Sequence, residues 1–256
     1  MIQIDSVTKH FGSVIAVDQL SFELHSGEVL GLLGPNGSGK TTTVKMLLGI
    51  LRPDSGTMRV DGLEPAIDGR AVKARIGYVA EESLLFNSMT PRDTFELVIA
   101  VRGLHDAHVQ IWFDRLVSSF DLAESLDAPI ATLSRGNRQK VEIIAALLHR
   151  PKVLILDEPL SGLDATAVRV FKELLAMHAE RGGGVILSTH ILEIAEDMCD
   201  RICLISSGRA VATGSMEELQ VASGRGESSL EELFLELTNQ DERIAQIIQS
   251  LRAEDA

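Results

Sequence analysis

The apolar positions of this chain fall into two patterns. Val153-Leu154-Ile155-Leu156 is apolar without interruption, as expected of a strand buried on both faces of a parallel sheet. Val29-Leu30-Gly31-Leu32-Leu33 and Gly184-Val185-Ile186-Leu187-Ser188-Thr189 read as further strands of this kind. Ile2-Gln3-Ile4-Asp5-Ser6-Val7 instead alternates, as a half-buried strand does. Ser21–Leu24 and Thr57–Val60 resemble it and are bounded by turn residues at Ser26-Gly27 and Asp54-Ser55-Gly56, which predicts an antiparallel edge on the main sheet. Helical spacing follows at Thr42–Leu48, at Pro91–Val101 with Pro in the first turn, at Val109–Val117, and at Val141, Ile144, Ala145 and Leu148. Trp112 and Phe113 are expected to be packing residues. After Gly208, Val211–Leu219 suggests a strand end and a capped helix. Residues 223–228 read as a linker, 229–251 as one or two amphipathic helices, and 252–256 as a frayed acidic tail.

With 256 residues the chain has room for one large domain and an appendage. No segment reaches the roughly eighteen apolar residues of a spanning helix, and Met1-Ile2-Gln3-Ile4 starts as a strand rather than as a secretory leader. The expectation is a cytoplasmic chain that would reach a membrane only through a partner. A formal charge of −13 argues against a nucleic-acid surface and against direct adsorption to anionic lipid. Cys199 and Cys203, four apart, could share one helix face, but two thiolates are too few for structural zinc; reduced buried thiols are expected.

Two segments carry chemistry. Gly34-Pro35-Asn36-Gly37-Ser38-Gly39-Lys40-Thr41 matches G-x-x-x-x-G-K-[ST] between an apolar strand and a helix that begins near Thr42. Glycines there let backbone N–H groups curl around a phosphate. The helix start adds a partial positive charge, Lys40 can reach β/γ oxygens, and the Thr41 hydroxyl can bind Mg²⁺. Asp157 and Glu158 end the strand Val153–Leu156, where open α/β sheets place their ligands. Asp157 suits the Mg²⁺ shell, and Glu158 suits orientation or deprotonation of an attacking water.

Leu133-Ser134-Arg135-Gly136-Asn137-Arg138-Gln139 resembles the signature loop of ABC ATPases, whose usual form is Leu-Ser-Gly-Gly-Gln. Ser161-Gly162-Leu163-Asp164 resembles their D-loop, and His190 their switch histidine. The order of motifs is the family's, over roughly residues 1–238. With Leu230-Glu231-Glu232-Leu233-Phe234-Leu235-Glu236-Leu237-Thr238, the chain looks most like the ATP-binding subunits of exporter-type, multidrug or antibiotic efflux transporters. The resemblance implies a P-loop NTPase (RecA-like) mixed α/β sheet with an antiparallel β edge and an inserted helical subdomain at about 91–149, in an ATP-binding domain spanning 1–222. It implies ATP and Mg²⁺ as cofactors, Glu158, His190 and Lys40 as catalytic residues, and a second ATP-binding subunit, as a homodimer, completing each site with Ser134 and Gly136. It also implies a transmembrane permease partner at the cytoplasmic face of the inner or plasma membrane. Phe11 is either a core residue or an adenine platform; spacing leaves this even, and the resemblance favours the platform.

The chain departs from the family at several positions. In Ile76-Gly77-Tyr78-Val79-Ala80-Glu81, Glu81 stands where the family has a glutamine that faces Mg²⁺ and water. A carboxylate there is a stronger Mg²⁺ ligand, and exporter-type relatives often carry it; the alternative is an exposed acid without a role. Arg135 replaces a signature glycine and either adds charge near the other subunit's nucleotide or points to solvent. Two other functions stay open: a soluble ABC ATPase acting on ribosome or nucleic-acid complexes, disfavoured by a single P-loop and no heptads, and a nucleotide-regulated binding module, disfavoured by the intact Glu158 and His190.

Overall fold

A computed structural model describes residues 1–223 and 229–237. Of the linker expected at 223–228, Ser223 ends a helix; its other residues, the helical stretch beyond 237 and the acidic tail lie outside the described residues. The strands are β1 (Ile2–Phe11), β2 (Val14–Leu24), β3 (Val29–Leu33), β4 (Ser55–Val60), β5 (Ile76–Val79), β6 (Val153–Asp157), β7 (Gly184–Thr189), β8 (Arg201–Ser206) and β9 (Arg209–Gly214). The helices are α1 (Lys40–Leu47), α2 (Gly69–Arg75), α3 (Pro91–Arg102), α4 (Ala107–Ser119), α5 (Arg135–Leu147), α6 (Ala165–Glu180), α7 (Leu192–Met198), α8 (Met216–Ser223) and α9 (Leu230–Leu237).

The uninterrupted apolar strands form the centre of a six-stranded sheet in the order β5-β6-β7-β3-β8-β9, parallel except for β9. Every residue of β3, β6 and β7 is buried, as strands covered on both faces must be. The alternating strands form a separate antiparallel sheet, β2-β1-β4. Its inward residues, including Ile4, Phe22 and Met58, close one core against Ile155, Ile186 and Met46 of the main sheet and α1. On the other face a second core joins Leu154, Leu156 and Leu187 to the helical region, where Phe95 of α3 meets Phe113 of α4 edge-on at 5.3 Å. A capping box at Thr90–Asp93, Pro91 in the first turn and a left-handed Gly103 delimit α3. A third, smaller cluster holds α9 in place: Leu230 and Leu233 lie against Ile202, Leu204 and Leu219.

The cysteines do not share a helix face. Cys199 follows the end of α7 and Cys203 lies inside β8, because the uninterrupted apolar run of Ile202 to Ile205 makes a buried strand there. Both are free thiols, and burial raises their pKa values to about 12 for Cys199 and about 11 for Cys203, which keeps them protonated and inert. Trp112 packs beside the second core, and its indole N–H donates to the Leu147 carbonyl at 3.1 Å.

The strand order sets the site. β7 lies between β6 and β3, so the end of β7 falls between the acids that follow β6 and the loop that follows β3. Three segments far apart in sequence thereby meet at one edge of the sheet.

Candidate functional site

A cleft of about 700 Å³ opens there, lined by Gly34 through Thr42, Glu81, Asp157, Glu158 and His190. The loop closes tightly enough to exclude side chains at two glycines. A Cβ on Gly34 would lie 2.2 Å from the Ile205 carbonyl oxygen, and one on Gly39 would lie 2.5 Å from that of Ala16. Gly39 is also left-handed, at φ +107°, and begins α1 without any side-chain cap. The first N–H groups of α1 are therefore not taken by a capping side chain and face the cleft, where an anion would meet them. Lys40 folds back over the loop and donates to the carbonyls of Gly34 at 2.6 Å and Pro35 at 3.2 Å. Burial lowers its pKa, and Asp157, Glu158 and Glu81 oppose that shift.

The acid pair divides into two environments. Asp157 is buried, and its Oδ2 has no hydrogen-bond partner. Burial, with Glu81 and Glu158 nearby, raises its pKa. Glu158 sits at φ +49°, a left-handed conformation that costs a non-glycine residue about 1 kcal/mol or more. Three contacts hold it there: its Oε1 accepts from the His190 backbone N–H at 2.7 Å and from Nδ1 at 2.6 Å, and its Oε2 accepts from the Thr189 hydroxyl at 3.1 Å. The sequence points to Glu158 and His190 separately; the structure joins them. Thr189 was not foreseen, because a threonine ending an apolar strand carries no distinguishing signal.

Thr41, Asp157 and Glu81 line one cleft, and the buried Asp157 Oδ2 makes no hydrogen bond. Among the described residues no three acids, cysteines or histidines make a metal cage of their own. One or two carboxylates and a hydroxyl fit Mg²⁺, which completes its shell with waters and substrate phosphates.

Ser134 and Gly136 do not line this cleft. Ser134 caps α5, its Oγ accepting the Asn137 N–H at 3.1 Å. Gly136 lies so close to the D-loop that a Cβ would be 2.5 Å from the Gly162 carbonyl oxygen. Arg135 is exposed. Its guanidinium donates to the Ser161 hydroxyl at 2.5 Å and its stem covers Gly162. Two further ties, missed in the sequence, join α5 to the same loop: Gln139 Nε2 donates to the Pro159 carbonyl at 3.0 Å, and Lys140 pairs with Asp164 at 3.0 Å. Glu142 of α5 accepts the Leu84 N–H at 2.9 Å, reaching the segment that carries Glu81.

Phe11 is the last residue of β1 rather than a loop residue, and it is 48% exposed, which removes the core alternative. It lies beside the Lys9 ammonium, 5.9 Å from the ring centre, and is not among the residues lining the cleft. Phe234 of α9, Leu192 and Ala16 do line it.

The sequence model of the ABC transporter family matches residues 17–161. An uncharacterized ABC transporter ATP-binding protein of Methanocaldococcus jannaschii is 35% identical over 85% of this chain and 79% of its own length. A Nod factor export ATP-binding protein I of Paraburkholderia xenovorans is 38% identical over 85% of this chain and 72% of its own length. Among solved structures, an ATP-binding subunit of an ABC transporter superposes with a TM-score of 0.90 at 30% identity, covering 93% of this chain and 99% of the other. A dimeric bacterial ABC transporter cassette shares the fold, with a TM-score of 0.76 at 23% identity over 84% of this chain and 99% of the other.

Proposed function

Because this chain belongs to the ABC transporter family, as an ATP-binding and ATP-hydrolysing subunit, we propose that it powers export through a separate transmembrane partner by closing, as a homodimer, on two ATP molecules. The observation that carries this reading is the division of the site. Lys40, Asp157, Glu158 and His190 converge on one cleft, whereas Ser134 and Gly136 lie outside it. Two copies placed head to tail give each cleft the element it lacks.

Each residue has a step that its geometry suits. Lys40 exchanges its carbonyl partners for β/γ phosphate oxygens, and the uncapped N–H groups of α1 complete the cradle. Thr41, Asp157 and Glu81 would hold Mg²⁺, which would supply positive charge to neutralise the phosphates. Glu158 accepts a proton from the attacking water, and His190 and Thr189 fix its carboxylate. Export is supported by the relatives whose printed names specify it. A membrane partner is supported by exposed apolar side chains at Ile50, Leu84, Phe86 and Val101, and by an apolar groove of about 320 Å³ between Ile50, Tyr78, Val98 and Ala145. On this reading the chain sits at the cytoplasmic face of the membrane, held by that partner.

The test mixes two dead variants. Ser134→Arg and Lys40→Ala homodimers each carry one lesion in both composite sites and should not turn over. In a mixed dimer one site carries both lesions and the other none, so ATPase activity should return to a substantial fraction of the parent's. Stable mixed dimers without any recovery would contradict the arrangement.

A further inference from the structure

A second cavity lies apart from the nucleotide cleft. It encloses about 820 Å³ and lies where β6 and β7 begin, lined by Lys152 and Gly183 immediately before those strands. Asp157 stands at the other end of the five-residue β6, about 16 Å away at 3.3 Å per residue. The two sites are thus at opposite edges of one sheet.

The charge of this cavity runs against that of the chain. The protein carries a formal charge of −13, yet Arg115, Arg150, Lys152 and Arg181 line the cavity against a single acid, Asp61. That acid is already committed to Arg75 at 2.8 Å and Lys152 at 3.0 Å. The other arginines in ion pairs among the described residues, Arg92, Arg201 and Arg209, meet carboxylates elsewhere. Arg115, Arg150 and Arg181 have no ion pair among the described residues, although acids outnumber bases 37 to 24 in the chain. Arg150 also occupies a left-handed conformation at φ +47°, which disfavours a side chain. Its guanidinium lies 5.3 Å from the centre of the Trp112 ring, and the indole is in turn fixed by Leu147. Leu174, Met177 and Pro151 form an apolar part of the wall, which Ser26 and His178 also line.

We propose that this cavity binds a small phosphorylated molecule bearing at least two phosphate groups, with Arg115, Arg150 and Arg181 as its forked ligands. Guanidinium forks match phosphate oxygens in pairs, and three without carboxylate partners leave their donors available to a polyanion. The apolar wall and Trp112 give an organic portion a surface to lie on. The site is independent of the ATPase assignment, since none of its residues touches the nucleotide cleft.

Isothermal titration of inorganic pyrophosphate tests it, using the full chain with Lys40→Ala to weaken binding at the other site. One saturable event is expected, weakened at least tenfold when Arg115→Ala and Arg181→Ala are added. Both side chains are exposed, so melting temperature should not change. The same pair of substitutions in the parent chain should leave ATP hydrolysis within about twofold of normal, given the separation along β6. Citrate and vesicles of phosphatidylglycerol serve as the carboxylate and lipid-headgroup arms, and both should bind more weakly than pyrophosphate. Absence of saturable binding, binding indifferent to the two arginines, or preference for citrate or vesicles would overturn the proposal.

Discussion

Two helices of this chain begin at loops suited to an anion, and they are finished differently. α1 starts at a left-handed glycine with no side-chain cap, inside a cleft walled by Asp157, Glu158 and His190. α5 starts at Ser134, whose hydroxyl oxygen already accepts the helix's own N–H, outside the lining of that cleft. The first loop leaves the first backbone donors of α1 without a side-chain cap. The second is a stabilised presentation surface, anchored from behind by Arg135, Gln139 and Lys140 on the D-loop. On the proposed reading, the motifs of one ATP site are divided between two copies of the chain. α5 contacts both the D-loop region after Glu158 and, through Glu142, the segment after Glu81.

The largest effect should come from breaking the first loop. Lys40→Ala removes the side-chain cation of the cradle, and ATP hydrolysis should fall by at least about 10²-fold with weaker ATP binding; hydrolysis near the parent rate would show that the cleft is not the site. Ser134→Arg should stop turnover as fully but leave ATP binding to the single chain intact, which separates the two loops by one titration. Cutting the tie between them should do less. Arg135→Ala removes the contact with Ser161, and kcat should fall roughly 2–10-fold while ATP affinity is unchanged. An unchanged kcat would leave Arg135 as a surface residue only.

The smallest effect concerns stability. Burial, with Glu81 and Glu158, holds the Asp157 carboxyl above its ordinary value of 3.8. A carboxyl raised in the folded state favours folding in its protonated form, fully so below the unfolded pKa, and this contribution is lost as pH rises through the folded pKa. At neutral pH the ionised Asp157 therefore costs stability when no cation is bound. Asp157→Asn should raise the melting temperature of the nucleotide-free protein by about 2 °C at pH 7, with the gap closing toward pH 4. It should also diminish the further stabilisation that Mg-ATP confers. A lower melting temperature at pH 7 would contradict this.

Much of this was legible in the sequence because it depends on short-range pattern. Continuous apolar runs gave away β3, β6 and β7, alternation gave away β1, and the loop glycines announced their own geometry. What escaped depends on contacts across the fold. β8 was hidden by the pair of cysteines at its start, and the Arg135–Ser161 contact spans two loops that share no pattern. Phe234 belongs to a helix recognised by its motif, yet only the packing of Leu230 and Leu233 brings it to the cleft. Glu158 was identifiable, but its positive φ and the clasp by Thr189 and His190 were not, since strain is a property of the surrounding structure.

The composite-site account is tested most directly by the association state of Glu158→Gln. The amide keeps the shape of the carboxylate but cannot take the water's proton, while Lys40, Thr41, Ser134 and Gly136 remain to bind ATP and close the dimer. Size-exclusion chromatography with light scattering should find this variant as a dimer in Mg-ATP and as a monomer in Mg-ADP, with hydrolysis nearly stopped. A monomer in both nucleotides, or hydrolysis at the parent rate, would contradict the account.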